Sequence, residues 1–279
     1  MLIKRAWGFG GDFTLHCEKR DTLAFSLSKK LLYFMELLLA LFVIAIIAGW
    51  VDSIGGGGGL ICIPALLWAG FSPLETLATN KLQASFGSST AALNYTRHGL
   101  VDVKGQKLAI ALTFFGSVCG TLLVQQIDSS LLAKAIPTLL IVFALYFLFS
   151  PKISDMDKHQ VTTPTIFAMT VGFGAGFYDG FFGPGAGMFF TMGYVTLLGF
   201  GLPKATGNTK LLNFTSNIAS LLFFALSGHI LWQVGLVMGV GQIIGSYIGS
   251  HMAVKHGTRL IRPVLVTVSL LVSLKLLFY

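Results

Sequence analysis

The sequence predicts an all-α, polytopic membrane protein made of two homologous repeats, and three observations predict it. Hydrophobic residues make up 54% of the 279 and charged residues only 11%, with a mean hydropathy of +0.78, so a soluble globule of this size would lack polar surface to cover itself. Apolar runs long enough to cross a bilayer recur along the chain. Two distant stretches also carry nearly the same text: AGWVDSIGGGGGLICIPALL from Ala48 with ATNKLQASFGSS from Ala78, and AGFYDGFFGPGAGMFF from Ala175 with ATGNTKLLNFTSN from Ala205. Lys81 and Lys210 are 129 residues apart, as are Gly99 and Gly228, and GSVCGT at Gly116 matches GSYIGS at Gly245 at the same offset.

Element by element, the chain begins with a basic tail, residues 1–30. Spans follow at Leu31 to Val51, Leu108 to Gln125, Leu131 to Phe149, Thr165 to Phe182, Val234 to Val254 and Pro263 to Tyr279. Leu77 to Tyr95 and Ala205 to Leu226 are two further spans whose apolar helical pattern contains polar residues. That gives about eight transmembrane helices. Gly55 to Gly70 and Gly183 to Gly201 are too short and too rich in glycine to read as full crossings. They are expected as re-entrant segments facing inward, because irregular backbone at membrane depth must be shielded from lipid. The domain reading is a tail 1–30, membrane repeat 1 over 31–150, a loop 151–163 and membrane repeat 2 over 164–279, the duplicated text spanning 33 to 149 and 164 to 279. Internal repeats with glycine-interrupted apolar segments at matching places are a mark of secondary transporters, whose sites lie where the repeats meet.

The net charge of +8 does not mark a nucleic-acid surface, since the basic residues sit in the tail and in short loops rather than along one face. The tail's Lys4, Arg5, Lys19, Arg20, Lys29 and Lys30 favour a cytoplasmic amino terminus. The first apolar run reads as a span and not as a cleaved signal. Cys17, Cys62 and Cys119 have no metal-ligand or pairing spacing. No metal, cofactor or catalytic set is expected: HExxH and GxSxG are absent.

Asp52 and Asp179 close an apolar span ahead of a glycine-rich turn in each half, and an acid inside a membrane costs roughly 2.5–3.5 kcal/mol. They read as helix caps, as partners of the lysines, or as proton carriers in coupling. Gly55, Gly56, Gly57 and Gly58, matched by Gly183, Gly185 and Gly187, permit positive φ and can turn successive N–H groups to one side, forming an anion nest at a helix start. Close helix packing by small residues is the competing reading. Lys81 with Ser85, and Lys210 with Asn213 and Asn217, fall on one helix face by spacings of three and four. Asn80 and Asn208 precede the lysines. A lysine beside hydroxyls or amides suits a small oxyanion, against the alternative that each lysine snorkels to the headgroups. His98 and His229 read as interfacial loop residues.

The blocks DSIGGGGGLICIPAL with ATNKLQASFGS, and GFYDGFFGPGAGMF with KATGNTKLLNFTSN, resemble the TauE/SafE, or sulfite exporter, family of membrane transporters, in particular its YfcA-like branch. The resemblance covers residues 33 to 279 and rests on Asp52, Gly55 to Gly59, Pro64, Asn80, Lys81, Asp179, Gly183, Pro184, Gly187, Lys210 and Asn213. It implies a multi-pass inner-membrane protein whose family handles sulfite and organosulfonates. The leading expectation is a secondary transporter of a small anion, sulfur-containing by this resemblance. It would work by alternating access and be driven by an ion or proton gradient. The expected partners are the anion and the lipid bilayer, without nucleic acid. A passive anion channel and a membrane-embedded enzyme are the alternatives.

Overall fold

Each described apolar run becomes a helix, and the glycine runs decide where helices stop. A computed structural model describes residues 13–135, 138, 159–257 and 259–260, with no strand among them. The chain divides into two compact units, Met1–Leu39 and Ala40–Tyr279; all contacts given below lie within the second.

Helix α1 runs Phe13–Gly55, so helix begins inside the segment read as a tail. It stops at the glycine run, where Gly56 adopts φ 87°, a conformation that costs other residues strain. Helix α2, Gly58–Trp68, follows at once. Helix α3, Pro73–Arg97, starts with a complete capping box: Ser72 accepts from the Glu75 amide and Glu75 accepts from the Ser72 amide, with Pro73 in the first turn. Helix α4 is Lys107–Val124, and residues 129–135 are again helical.

The run expected as one span from Thr165 is helix in three pieces: α5 Pro164–Phe167, a π-helical turn Ala168–Gly172, and α6 Phe173–Phe181. Helix α7 is Ala186–Thr196, entered through Gly183 and Gly185 at φ 91° and 77°. Helix α8 is Leu202–Ser227 and α9 is Trp232–His256. The two glycine-rich segments therefore hold helices of 11 residues each, about 16 Å long, or half the hydrocarbon thickness. The expected spans Leu131 to Phe149 (beyond 135) and Pro263 to Tyr279 lie outside the described residues, as does most of the 151–163 loop.

Close helix contacts run through glycine. A β-carbon added at Gly180 or Gly120 would collide with the carbonyl of Ser117 or Phe177, locking α4 onto α6. On α9, one at Gly241 would lie 2.7 Å from the Phe42 carbonyl oxygen and one at Gly249 2.5 Å from that of Trp50. Helices α3 and α8 pack on each other and bury Asn80, Lys81, Gln83, Lys210 and Asn213, while Val43, Ile47, Phe115, Leu122, Leu226 and Leu236 are exposed. Polar groups inside and large apolar groups outside reverse the pattern of a water-soluble protein. Leu32–Gly55, Lys107–Val124 and Leu202–Ser227 are long and apolar enough to cross a membrane.

Candidate functional site: crossed ion pairs beneath a glycine-walled cavity

A lysine stem is apolar enough to cross a packed interior, but its ammonium, once buried, needs an opposite charge. Lys81 on α3 and Lys210 on α8 are 1% and 0% exposed. The Lys81 ammonium lies 2.5 Å from Oδ1 of Asp179 on α6, and the Lys210 ammonium 2.9 Å from Oδ2 of Asp52 on α1. Each pair thus joins a lysine of one half of the sequence to an acid of the other. The second oxygens are also occupied: Asp52 Oδ1 accepts the Gly58 amide at 3.0 Å, and Asp179 Oδ2 accepts the Ser216 hydroxyl. Asp52 therefore ties the start of α2 as a cap does, although it lies six residues ahead of it.

The starts of α2 and α7 meet. A β-carbon at Gly56 would lie 2.9 Å from the Gly187 carbonyl carbon, and one at Gly59 3.2 Å from the Pro184 Cα. Only glycine admits this approach. The Tyr178 hydroxyl holds the second turn by donating to the Pro184 carbonyl. At the junction a cavity of about 410 Å³, its open mouth included, is lined by Asp52, Gly56, Gly58, Gly59, Asn80, Gln83, Ala84, Asp179, Gly183, Gly185, Ala186, Gly187, Asn213, Asn217 and Gln242. The amides of Gly57, Gly59, Gly185 and Gly187 have no hydrogen-bond acceptor among the described residues. The buried side-chain carbonyl oxygens of Gln83 and Asn213 have no donor among the described residues. Each helix start contributes roughly half a positive charge. The charged side chains on the wall are the two aspartates, each already facing a lysine.

Of the residues singled out in the sequence, Asp52, Gly56, Gly58, Asn80, Asp179, Gly183, Gly185, Gly187, Asn213 and Asn217 come together on this wall. Gly55, Gly57, Lys81, Ser85, Asn208 and Lys210 are not on it. Ser85 donates to the Lys81 carbonyl of its own helix, and Asn208 donates to the carbonyls of Leu100 and Lys204. Where the sequence put both ammonium groups towards a ligand, the structure turns each onto a carboxylate, the partner that a buried cation requires. His98 lies against His251, ring centroids 6.0 Å apart. Gln83 and Gln242 were missed. Gln83 shares the Asn80 face, three residues on, rather than the Lys81 face, and Gln242 is a buried amide in the glycine-rich apolar α9, where a buried polar group is itself a signal. No group of three or more potential metal ligands occurs among the described residues.

Comparison with known proteins agrees with this architecture. The model of the sulfite exporter TauE/SafE family matches residues 41–276. The probable membrane transporter protein YfcA of Escherichia coli (strain K12) is 50% identical over 242 residues, covering 87% of this chain and 90% of that protein. A probable membrane transporter protein of Haemophilus influenzae is 45% identical over 244 residues, covering 88% and 96%. ORF9 of Sinorhizobium sp, also a probable membrane transporter protein, is 49% identical over 87% and 93%. No solved structure matches. With motifs, helices and relatives in accord, this chain belongs to the sulfite exporter TauE/SafE family of membrane transporters.

Proposed function

We propose that this transporter carries a small anion by alternating access, driven by an ion or proton gradient. Sulfite, which the family's name carries, and the related sulfur oxyanions and organosulfonates are the candidate cargo. The observation that carries the reading is the convergence of two helix starts on one cavity, with the amides of three of its wall glycines, Gly59, Gly185 and Gly187, lacking acceptors among the described residues. Amides and dipoles arranged in this way bind anions without a side chain. The lysines sit one shell behind and offset part of the aspartates' charge, which would otherwise oppose an anion more strongly. The crossed pairs support a site shared by two related halves. So do the helix contacts: Gly116 abuts Phe173 and Gly245 abuts Ile46, glycines 129 and partners 127 residues apart. The protein on this reading lies in the cell's inner membrane with its amino terminus in the cytoplasm, as the basic tail favours.

The test is thermal unfolding of purified protein with sulfite, thiosulfate, sulfoacetate, taurine, chloride and phosphate, since a ligand bound only by the folded state stabilises it. A rise in midpoint that saturates with one of the sulfur anions is the expected result. No shift with any of them would overturn the reading. Counterflow in liposomes separates a carrier, which exchanges labelled for unlabelled anion against a gradient, from a channel, which does not.

A further inference from the structure

The two Lys–Asp pairs are unequal. The Asp179 side chain is 5% exposed and that of Asp52 is 19% exposed. Both oxygens of Asp179 are held by side chains, Lys81 and Ser216. The hydroxyls of Ser117, Ser220 and Thr121 form a further chain behind it, with Ser117 donating to the Ser216 carbonyl and Thr121 to that of Gly180. Ser216 stands six residues after Lys210; six residues after Lys81 stands Gly87. A β-carbon at Gly87 would collide with the Gln242 carboxamide and lie 2.9 Å from the Ser246 hydroxyl. No hydroxyl reaches Asp52 from that place. Among the described residues, the Asp52 carboxylate holds, beyond Lys210, only the Gly58 amide, itself part of the cavity wall.

We propose that Asp52 is the carboxylate that gains and loses the proton coupled to anion movement, while Asp179 is a fixed structural anchor. This rests on the anion-carrier reading above. Asp52 opens to the cavity, so water can deliver a proton to it. An anion at the glycine amides shares that cavity and repels the ionised carboxylate, so its entry and a proton on Asp52 favour one another. The proton comes from cavity water and ends on a carboxylate oxygen; the Lys210 ammonium keeps its three protons. The pair changes from zero to +1 charge, which balances a monovalent anion. Asp179 has no such freedom, because its hydroxyl clasp and burial keep it paired. The other titratable groups around Asp52 are Cys62 on α2 and Tyr95 on α3, whose hydroxyl is committed to the Ser53 carbonyl, with Asp179 across the cavity.

Infrared difference spectroscopy of the purified protein, titrated with acid in the absence of anion, reads the carboxylic-acid C=O stretch directly. The chain's other carboxyls protonate in the same titration, so the reading is a difference between spectra: an acid band in wild type minus Asp52→Asn, and none in wild type minus Asp179→Asn, is the expected result. No band in the first difference, or a band in the second, overturns the assignment. If Asp179→Asn does not fold, Ser216→Ala replaces it: an unchanged band supports Asp52, and a shifted one transfers the role to Asp179. A stabilising sulfur anion should enlarge the band at fixed pH. Finding such an anion while the first difference shows no band would sink this assignment alone, whereas finding none would sink the carrier reading as well.

Discussion

At the scale of single residues, the energetics turn on four buried charges. An ammonium or carboxylate left alone in a low-dielectric interior costs several kcal/mol, and pairing recovers most of that without adding net stability over an apolar pair. Lys81 and Asp179 are both nearly fully buried, so removing one partner strands the other. Lys81→Met should therefore lower stability by about 3–5 kcal/mol, while Lys81→Met combined with Asp179→Asn should recover much of that loss. Thermal unfolding in one detergent, run as a double-mutant cycle, measures the coupling. Equal losses in the single and double variants would mean that the pair contributes through packing alone.

At the scale of elements, helix position is set by what glycine allows. Gly180 lies where a β-carbon would strike the Ser117 backbone, whereas a β-carbon at Gly174 on the same helix meets nothing within 4 Å. Gly180→Ala should push α6 from α4 and cost roughly 1–3 kcal/mol, the range for overpacking. Gly174→Ala should be neutral or stabilising by up to about 1 kcal/mol, because it removes backbone freedom from a helix. Unfolding midpoints of the two variants check the contrast, and equal effects would refute it. The stop at the glycine run, residues 55–58, was legible because positive-φ glycines are local chemistry, whereas the capping box at Ser72, equally local, was missed. The π-turn at Ala168–Gly172 was not legible either. No residue in AMTVG breaks a helix, and the turn faces Thr113, whose hydroxyl donates to the Gly172 carbonyl, a partner 59 residues away.

At the scale of the whole molecule, the membrane class and the charged residues could be read from the sequence because each departs from what a bilayer tolerates. Which acid meets which lysine could not. Lys81 pairs with an acid 98 positions on, and Lys210 with one 158 positions back, and only the interlocking of distant helices fixes that choice. The sequence placed each lysine beside hydroxyls or amides on a helix face and so aimed both cations at the anion. With the halves crossed, the cations turn to the acids and the glycine amides are left for the ligand.

The central claim is that an anion sits between the starts of α2 and α7. Selenite and selenate mimic sulfur oxyanions and scatter X-rays anomalously. A diffraction measurement on crystals holding whichever of them stabilises the protein would locate the ion. The account predicts one selenium peak within hydrogen-bond reach of the amides of Gly59, Gly185 or Gly187; a peak elsewhere, with this cavity empty, would contradict it.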